Sequence, residues 1–338
     1  MTSKNKKIRI AIDLMGSDKF PISELDGVAR FNQHGIDSNT MFYFIGDEKT
    51  ITKELPNHNL DGLDYEIVHT SEVVHMDDEA TVALRKRNSS IYKGIELQKE
   101  GKVDAFISAG NTGATLSIST ILLGRIAGAS RGTIGTFFPT MEKRPTLILD
   151  AGANIDSKPK FLEEFAVMGA LYYKEMFQIE NPKVALLNIG EEETKGNELA
   201  LATHKLLKAS KLNFIGNVEG RDVLFGKADV IVCDGFTGNI LLKFAESFLV
   251  FLKQAIRGYA DKGLYKKLKV GMFAPTLKDI FKEFDYQEQG GVPLLGVNGV
   301  VIIGHGSSTG RAVENMIKRA IEIISVNLNK KIETALSG

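Results

Sequence analysis

Four loops in this 338-residue chain share one design: an apolar run ends and a short stretch rich in Gly, Asn, Thr, Ser or Asp follows. They read Asp13-Leu-Met-Gly-Ser-Asp18 after IRIAI, Ser108-Ala-Gly-Asn-Thr-Gly-Ala114 after DAFI, Asp234-Gly-Phe-Thr-Gly-Asn239 after DVIVC, and His305-Gly-Ser-Ser308 after VVIIG. Glycine lets a backbone approach a ligand closely, and the N–H groups at a helix start attract an anion. Gly16, Gly110, Gly113, Gly235, Gly238 and Gly306 supply the first property, while Ser108, Asn111, Thr112, Thr237, Asn239, Ser307 and Ser308 supply neutral donors. Such a set suits phosphate or another small anion. One loop of this kind is commonly a tight turn with a helix cap; four in one chain point to a site. Neither the P-loop pattern nor a Gly-x-Gly-x-x-Gly after the first strand is present.

Residues 186–198, LLNIGEEETKGNE, carry an apolar run straight into three glutamates and then Thr-Lys-Gly-Asn. Charge runs usually lie on solvated faces, but this one ends a run that reads as a buried strand. Lys195, Gly196 and Asn197 are read as facing the site, with Lys195 pairing with an anion and Glu192 or a neighbouring glutamate orienting the donors. His305 has a reference pKa near neutrality and could protonate a leaving group, or merely donate to a carbonyl. Asp13 and Asp234 end strands in matching positions, either capping their own turns or orienting a binding side chain. Cys233 lies in an apolar strand with no adjacent histidine and reads as a small core residue rather than a nucleophile.

The elements that must position these residues show the same alternation throughout. Apolar runs of strand length (IRIAIDL, MFYFIGD, DAFISAG, TIGTFFP, TLILDAG, VALLNIG, NFIGN, DVIVCDG, VVIIGHG) are separated by helical patterns at Asp77–Lys99, Pro159–Phe177, Glu198–Ala209, Asn239–Ile256 and Arg311–Leu328. Ser157 is placed as a cap for the second helix, with Pro159 in its first turn. Several strands are apolar throughout, which suits burial on both faces. The expectation is a doubly wound, largely parallel α/β sheet. Lysines plus arginines number 42 and acids 42, so bulk charge gives no reason to expect a nucleic-acid partner. The single cysteine excludes an intramolecular disulfide and fits a reducing cytosol. MTSKNKK leads directly into a strand, and no run of 18 or more uncharged apolar residues occurs, so neither a signal peptide nor a membrane-spanning helix is expected. The histidines are scattered and show no metal-ligand spacing.

Taken in order, DLMGSD, ISAGNTGA, LLNIGEEETKGNE, GNVEGRD, VCDGFTGN and GVNGVVIIGHGSS resemble the PlsX family of bacterial phosphate acyltransferases from first strand to last helix. Ser17 stands where that family usually has a second glycine. The resemblance implies a fold related to isocitrate and isopropylmalate dehydrogenases and to phosphotransacetylase, with one catalytic unit over 1–338 built from two interlocked subdomains. It implies transfer of a long acyl chain from acyl carrier protein to inorganic phosphate, for phospholipid synthesis, with no cofactor and no metal. It adds Asn154 to the phosphate-binding set. It also implies a homodimer, and a cytoplasmic protein in peripheral contact with the membrane, where a glycerol-3-phosphate acyltransferase consumes the product.

Phosphate can attack a thioester directly. The protein must then position phosphate, an effect of about 7–11 kcal/mol in favourable cases, and stabilise an oxyanion, about 3–4 kcal/mol per donor. Arg85, Lys86, Arg87, Lys93 and Lys99 form either a docking face for an acidic carrier or a solvated helix face. Residues 241–281 mix apolar residues with Lys and Tyr, as an interfacial or dimer-packing segment would. The competing readings are a short-chain acyl-CoA phosphotransacylase, a decarboxylating dehydrogenase, for which no aspartate cluster is found, and a non-catalytic acyl-lipid or anion-binding module.

Overall fold

The structure is a computed structural model that describes residues 7–35, 39–142, 144–283 and 290–337, without the side chains of 278–283. Residues 1–6, where no leader was expected, lie outside it. The first half runs β1 (Ile8–Asp13), α1 (Ile22–Gln33), β2 (Thr40–Gly46), α2 (Glu48–Glu54), β3 (Asp64–His69), α3 (Ala80–Ala83), α4 (Ser90–Lys99), β4 (Ala105–Ser108), α5 (Thr112–Leu122) and β5 (Thr133–Phe138). The second runs β6 (Thr146–Leu149), α6 (Pro159–Phe177), β7 (Lys183–Leu187), α7 (Glu198–Ala209), β8 (Asn213–Val218), β9 (Val230–Val232), α8 (Gly235–Ala260), α9 (Leu264–Glu283), β10 (Val292–Leu295), β11 (Val300–Ile303), α10 (Gly310–Ser325) and α11 (Leu328–Ser337).

The strands form one sheet in the order β3-β2-β1-β4-β11-β10-β5-β6-β9-β7-β8. The run from β3 to β11 is parallel, as is the run from β6 to β8. Antiparallel pairings of β10 with β11 and β5, and of β5 with β6, join the two runs in opposite directions. The period of two along each strand sorts side chains between the faces. Ile10, Ile12, Leu147, Leu149, Val230 and Val232 enter one continuous core beneath α1, α6 and α10. Ala11 faces the other way, into a core with Ile91, Ile95 and Ile118 of α4 and α5. Ile148, Ala185 and Ile231 enter a third core, capped by Leu241, Leu242 and Ala245 of α8. One face of the sheet therefore has a continuous core, and the other has two cores with a gap between them.

Several expectations need correction. Asp77–Lys99 is two helices rather than one: Glu72 accepts from Asn88 N–H (2.8 Å) and Ser89 caps α4 by accepting from Tyr92 N–H, so the chain turns before the second helix starts. Ser157 does not cap α6; its hydroxyl donates to Asn154 O (3.3 Å) and Lys158 takes the cap position. Arg311–Leu328 is α10 plus the start of a separate helix, α11. Strands β3 and β10 were not expected: β3 is an edge strand with polar, exposed residues, and β10 contains Pro293. The Asp13 loop, where helix was less evident in the sequence than after the other three, is also followed by a helix, α1. Helix α8 is longer than Asn239–Ile256, and it is long and apolar enough to cross a membrane by length and composition. Lys243 and Glu246 interrupt its apolar sequence, so no long uncharged run marks it. It pairs with α9 in a hairpin whose Phe244, Phe251, Tyr265, Leu268, Met272 and Phe273 are exposed.

Candidate active site

Ligands of doubly wound sheets bind outside strand carboxyl ends, where adjacent strands send their helices to opposite faces. Among the pairs that meet this condition, two border clefts. Strands β4 and β11 are neighbours, with α5 on the two-core face and α10 on the other. Strands β7 and β9 are neighbours, with α7 against the continuous core and α8 on the opposite face. A cleft lies at each.

The first cleft, of about 400 Å³, fills the gap between the two separate cores. Its walls come from both parallel runs: Thr112 and Gly113 at the start of α5, Gly152 after β6, Asn239 and Lys243 on α8, and Gly304 and His305 after β11. Thr112, Gly113, Asn239 and His305 are exposed to it. The start of α5 is anchored from below. Asn111 Oδ1 accepts from Ala114 N–H (2.9 Å), while its Nδ2 faces the carbonyls of His75, Met76 and Asp78 at 3.0–3.1 Å. Asn111 is thus committed to holding the helix start and the 75–78 loop. His305 Nδ1 accepts from Ser307 N–H (3.2 Å) and lies 2.8 Å from Ser307 Oγ. An accepting Nδ1 places the proton of a neutral ring on Nε2. Lys243 pairs with Glu246 at 3.1 Å on the same wall.

The second cleft, of about 520 Å³, lies off β7 and β9. Asn188, Gly196, Asn197, Asp234 and Thr237 form its polar end; Leu162, Leu186, Leu199, Ile240, Leu241 and Phe244 form the rest. Asn197 caps α7 by accepting from Ala200 N–H (2.9 Å), and Gly196 reaches this turn with φ +102°, a conformation that favours glycine. Asp234 accepts from both Thr237 N–H and Thr237 Oγ1 at 2.8 Å, so it is the cap of α8. Lys195 is exposed and does not line the cleft. The expected orienting glutamates are engaged elsewhere: Glu191 pairs with Lys227 at 2.5 Å and Glu193 with Lys208 at 2.7 Å. Glu192 is exposed, and its backbone carbonyl accepts from Asn217 Nδ2 (2.9 Å). Cys233 borders the cleft but is buried, and burial pushes its thiol well above the ordinary range.

A residue missed in the sequence, Asp150, stands between the clefts and lines neither. It is buried and accepts from the N–H groups of Gly152, Ala153 and Asn154 at 2.6–3.2 Å and from Asn154 Nδ2 at 2.7 Å. Burial raises its pKa against these donors. Asn154, itself fixed by donating to Gly132 O (2.8 Å), accepts from Gly235 N–H (2.8 Å). A Cβ at Gly235 would lie 2.6 Å from Asn154 O, and one at Gly238 would run into Asp150 O. The glycines of VCDGFTGN thus let α8 settle on the 150–154 loop. The signal available in the sequence was an aspartate ending TLIL, in the pattern already noted for Asp13 and Asp234.

The Asp13 loop is closed. Ser108 Oγ donates to Asp13 Oδ2 (2.7 Å), Asp13 Oδ1 accepts from Met15 N–H (2.9 Å), and Gly16 packs against Gly110 with no room for a Cβ. Burial raises the Asp13 pKa. Glu24 accepts from Ser17 N–H (3.2 Å), and burial, with Asp13 nearby, pushes it up to about 7. Asp18 N–H donates to Gly306 O (2.7 Å), so this knot buttresses the His305 loop. Asp13, Gly16, Ser108 and Gly110 therefore stand behind the first cleft and do not line it. Among the described residues, no group of three or more His, Cys, Asp or Glu side chains could hold a metal ion.

An α/β protein with anion-suited helix starts at two sheet crevices is the class this geometry defines. A family described as "Fatty acid synthesis protein" matches residues 8–331. A protein named phosphate acyltransferase from Dictyoglomus thermophilum is 44% identical over 98% of this chain and 98% of its own length. One of the same name from Nostoc sp. is 46% identical over 97% and 96%. Among solved structures, a phosphotransacetylase from Streptococcus pyogenes has TM-score 0.61 at 19% identity, covering 94% of each chain. A branched-chain phosphotransacylase from Enterococcus faecalis has TM-score 0.56 at 14% identity, covering 93% of this chain and 98% of its own. The chain belongs to the fatty acid synthesis protein family, the PlsX family of the sequence resemblance, and is an acyltransferase of phosphotransacetylase-like fold.

Proposed function

We propose that the chain transfers the acyl group of a long-chain acyl-ACP to inorganic phosphate, giving acyl phosphate for phospholipid synthesis, and that the chemistry occurs in the first cleft. The observation that carries this reading is the meeting, in one crevice, of the exposed α5 start, Asn239 and Lys243 of α8, and His305. The names of the relatives support acyl transfer to phosphate, and the sequence resemblance adds the acyl-ACP donor.

In this reading, Thr112 and Gly113 N–H groups, with Asn239 and Lys243, hold phosphate beside the thioester carbonyl. A phosphate oxygen bonds to the carbonyl carbon and the carbon–sulfur bond breaks. The phosphate's remaining proton is acidic enough to pass to the departing thiolate, so no general base is required. Of the two roles considered for His305 in the sequence, this reading takes that of hydrogen-bond donor. With Nδ1 accepting from Ser307 N–H, Nε2–H is assigned a hydrogen bond to the developing negative charge.

The finer assignments rest on the same resemblance. The exposed apolar α8–α9 hairpin, including 241–281, is assigned to a homodimer contact or to peripheral membrane contact near a glycerol-3-phosphate acyltransferase. The two parallel runs of the sheet are assigned as the two interlocked subdomains. Phosphate-dependent release of thiol from palmitoyl-ACP tests the reaction. Release that does not depend on phosphate, or no release, contradicts it.

A further inference from the structure

Resting on that reading, we infer that the second cleft is the seat of the donor's hydrocarbon chain, and that only long chains reach it. Two aspects of its lining favour a hydrocarbon. Its walls are largely Leu, Ile and Phe, and Asp234, the acidic side chain that lines it, has both carboxylate oxygens occupied by Thr237. Its volume of about 520 Å³ lies within the ordinary range for small-molecule pockets.

The route between the clefts follows from the helix that divides them. Along α8, positions 237, 240, 241 and 244 face the second cleft and 239, 242, 243 and 246 face the first, which are opposite sides of a 3.6-residue helix. On the inner side the way is closed, because Gly235 and Gly238 are packed against the 150–154 loop. On the outer side Phe236 and Ile240 form an apolar ridge, 59% and 54% exposed. A chain whose carbonyl sits in the first cleft passes over this ridge and descends beside Ile240 and Phe244.

A helix with its side chains is about 10–12 Å across, and a chain shorter than that crossing ends on the ridge. A longer one buries its remaining methylenes, each worth about 0.8 kcal/mol. The helix therefore acts as a length gauge. Selectivity arises from what lies beyond the ridge, not from the cleft where bonds change.

The inference is tested by two measurements on the full chain. The first is phosphate-dependent thiol release from butyryl-ACP and palmitoyl-ACP. In Ala200→Trp, which puts a ring into the cleft from the first turn of α7, the ratio of palmitoyl to butyryl kcat/KM is expected to fall at least tenfold. Ile189→Ser, at an exposed lining position outside the 241–281 hairpin, removes apolar wall without touching the core and should lower the same ratio. The second is binding of the fluorescent fatty acid cis-parinaric acid, which needs no turnover and should weaken in both variants. An unchanged ratio together with unchanged parinaric acid binding in folded variants overturns the assignment while leaving the reaction intact. Failure of the wild-type protein to release thiol from either donor sinks the proposed reaction instead. In that case parinaric acid binding still decides whether the cleft takes a hydrocarbon.

Discussion

The two clefts flanking α8 obey the same topological rule and differ in almost everything else. Each lies where neighbouring parallel strands send helices to opposite faces. The first draws its walls from both parallel runs and exposes Thr112, Asn239 and His305. The second draws on one run, spends its polar side chains as caps for α7 and α8, and is otherwise apolar. The same residue types, Asn and Thr at helix starts, thus stand open to a cleft on one side and serve as helix caps on the other. What decides is whether local N–H groups have already claimed the side-chain oxygen.

The change with the largest expected effect abolishes the comparison. Gly238→Ala drives a Cβ into Asp150 O and lifts the start of α8 from both clefts. Overpacking of this kind costs about 1–3 kcal/mol or more, and activity should fall to the limit of detection. Gly258→Ala, on the same helix with nothing near its Cβ, should instead raise stability by about 0.5–1 kcal/mol. Thermal melts of the two variants check the pair; equal shifts would show that the α8 contact does not matter.

Next come the changes that separate the clefts. His305→Ala removes a donor from developing charge and should lower kcat by about a hundredfold, in the range measured for such donors. His305→Asn, which keeps an N–H, should recover part of it. Lys195→Ala should raise the phosphate requirement about twofold at most, because the lysine is exposed and outside either lining. A tenfold rise would move phosphate to the second cleft. Cys233→Ala should change activity least, since the thiol is buried and held protonated; an acyl group trapped on this thiol would overturn direct attack by phosphate.

Much of this could be read in the sequence because local rules governed it. Helix α7, Glu198–Ala209, has the expected bounds because Asn197 caps it and its neighbours agree with the helical period. Nearly all the central strands were visible as apolar runs. The polar edge strand β3 and the proline-bearing β10 were not: β3 is a strand through pairing with β2 despite its polar residues, and β10 through lying between β11 and β5, the latter far away in sequence. The division of one candidate site into two clefts and a closed knot was equally hidden. Asp13, Asp150 and Asp234 look alike in sequence, yet Asp13 is sealed by Ser108 and Gly16, while Asp234 stands at an open rim.

The closed knot behind the first cleft yields a pH effect of smaller size. Glu24 binds its proton more tightly folded, at about 7, than its ordinary value of 4.5. The native state thus holds more protons than the unfolded chain between those values, so stability falls as pH rises from about 4.5 to about 7. The full shift corresponds to about 3 kcal/mol as an upper bound. Glu24→Gln should flatten the pH dependence of the melting temperature across this window. An unaltered slope would place the ionisation elsewhere.

The central claim, that phosphate is held in the first cleft and not the second, is tested most directly by the phosphate half-saturation of two variants. Asn239→Ala should raise it at least tenfold, about 1.4 kcal/mol. Asn197→Ala should leave it within about twofold while costing roughly 1 kcal/mol of stability through loss of the α7 cap. The reverse order, with the phosphate requirement following Asn197 and indifferent to Asn239, would contradict the account.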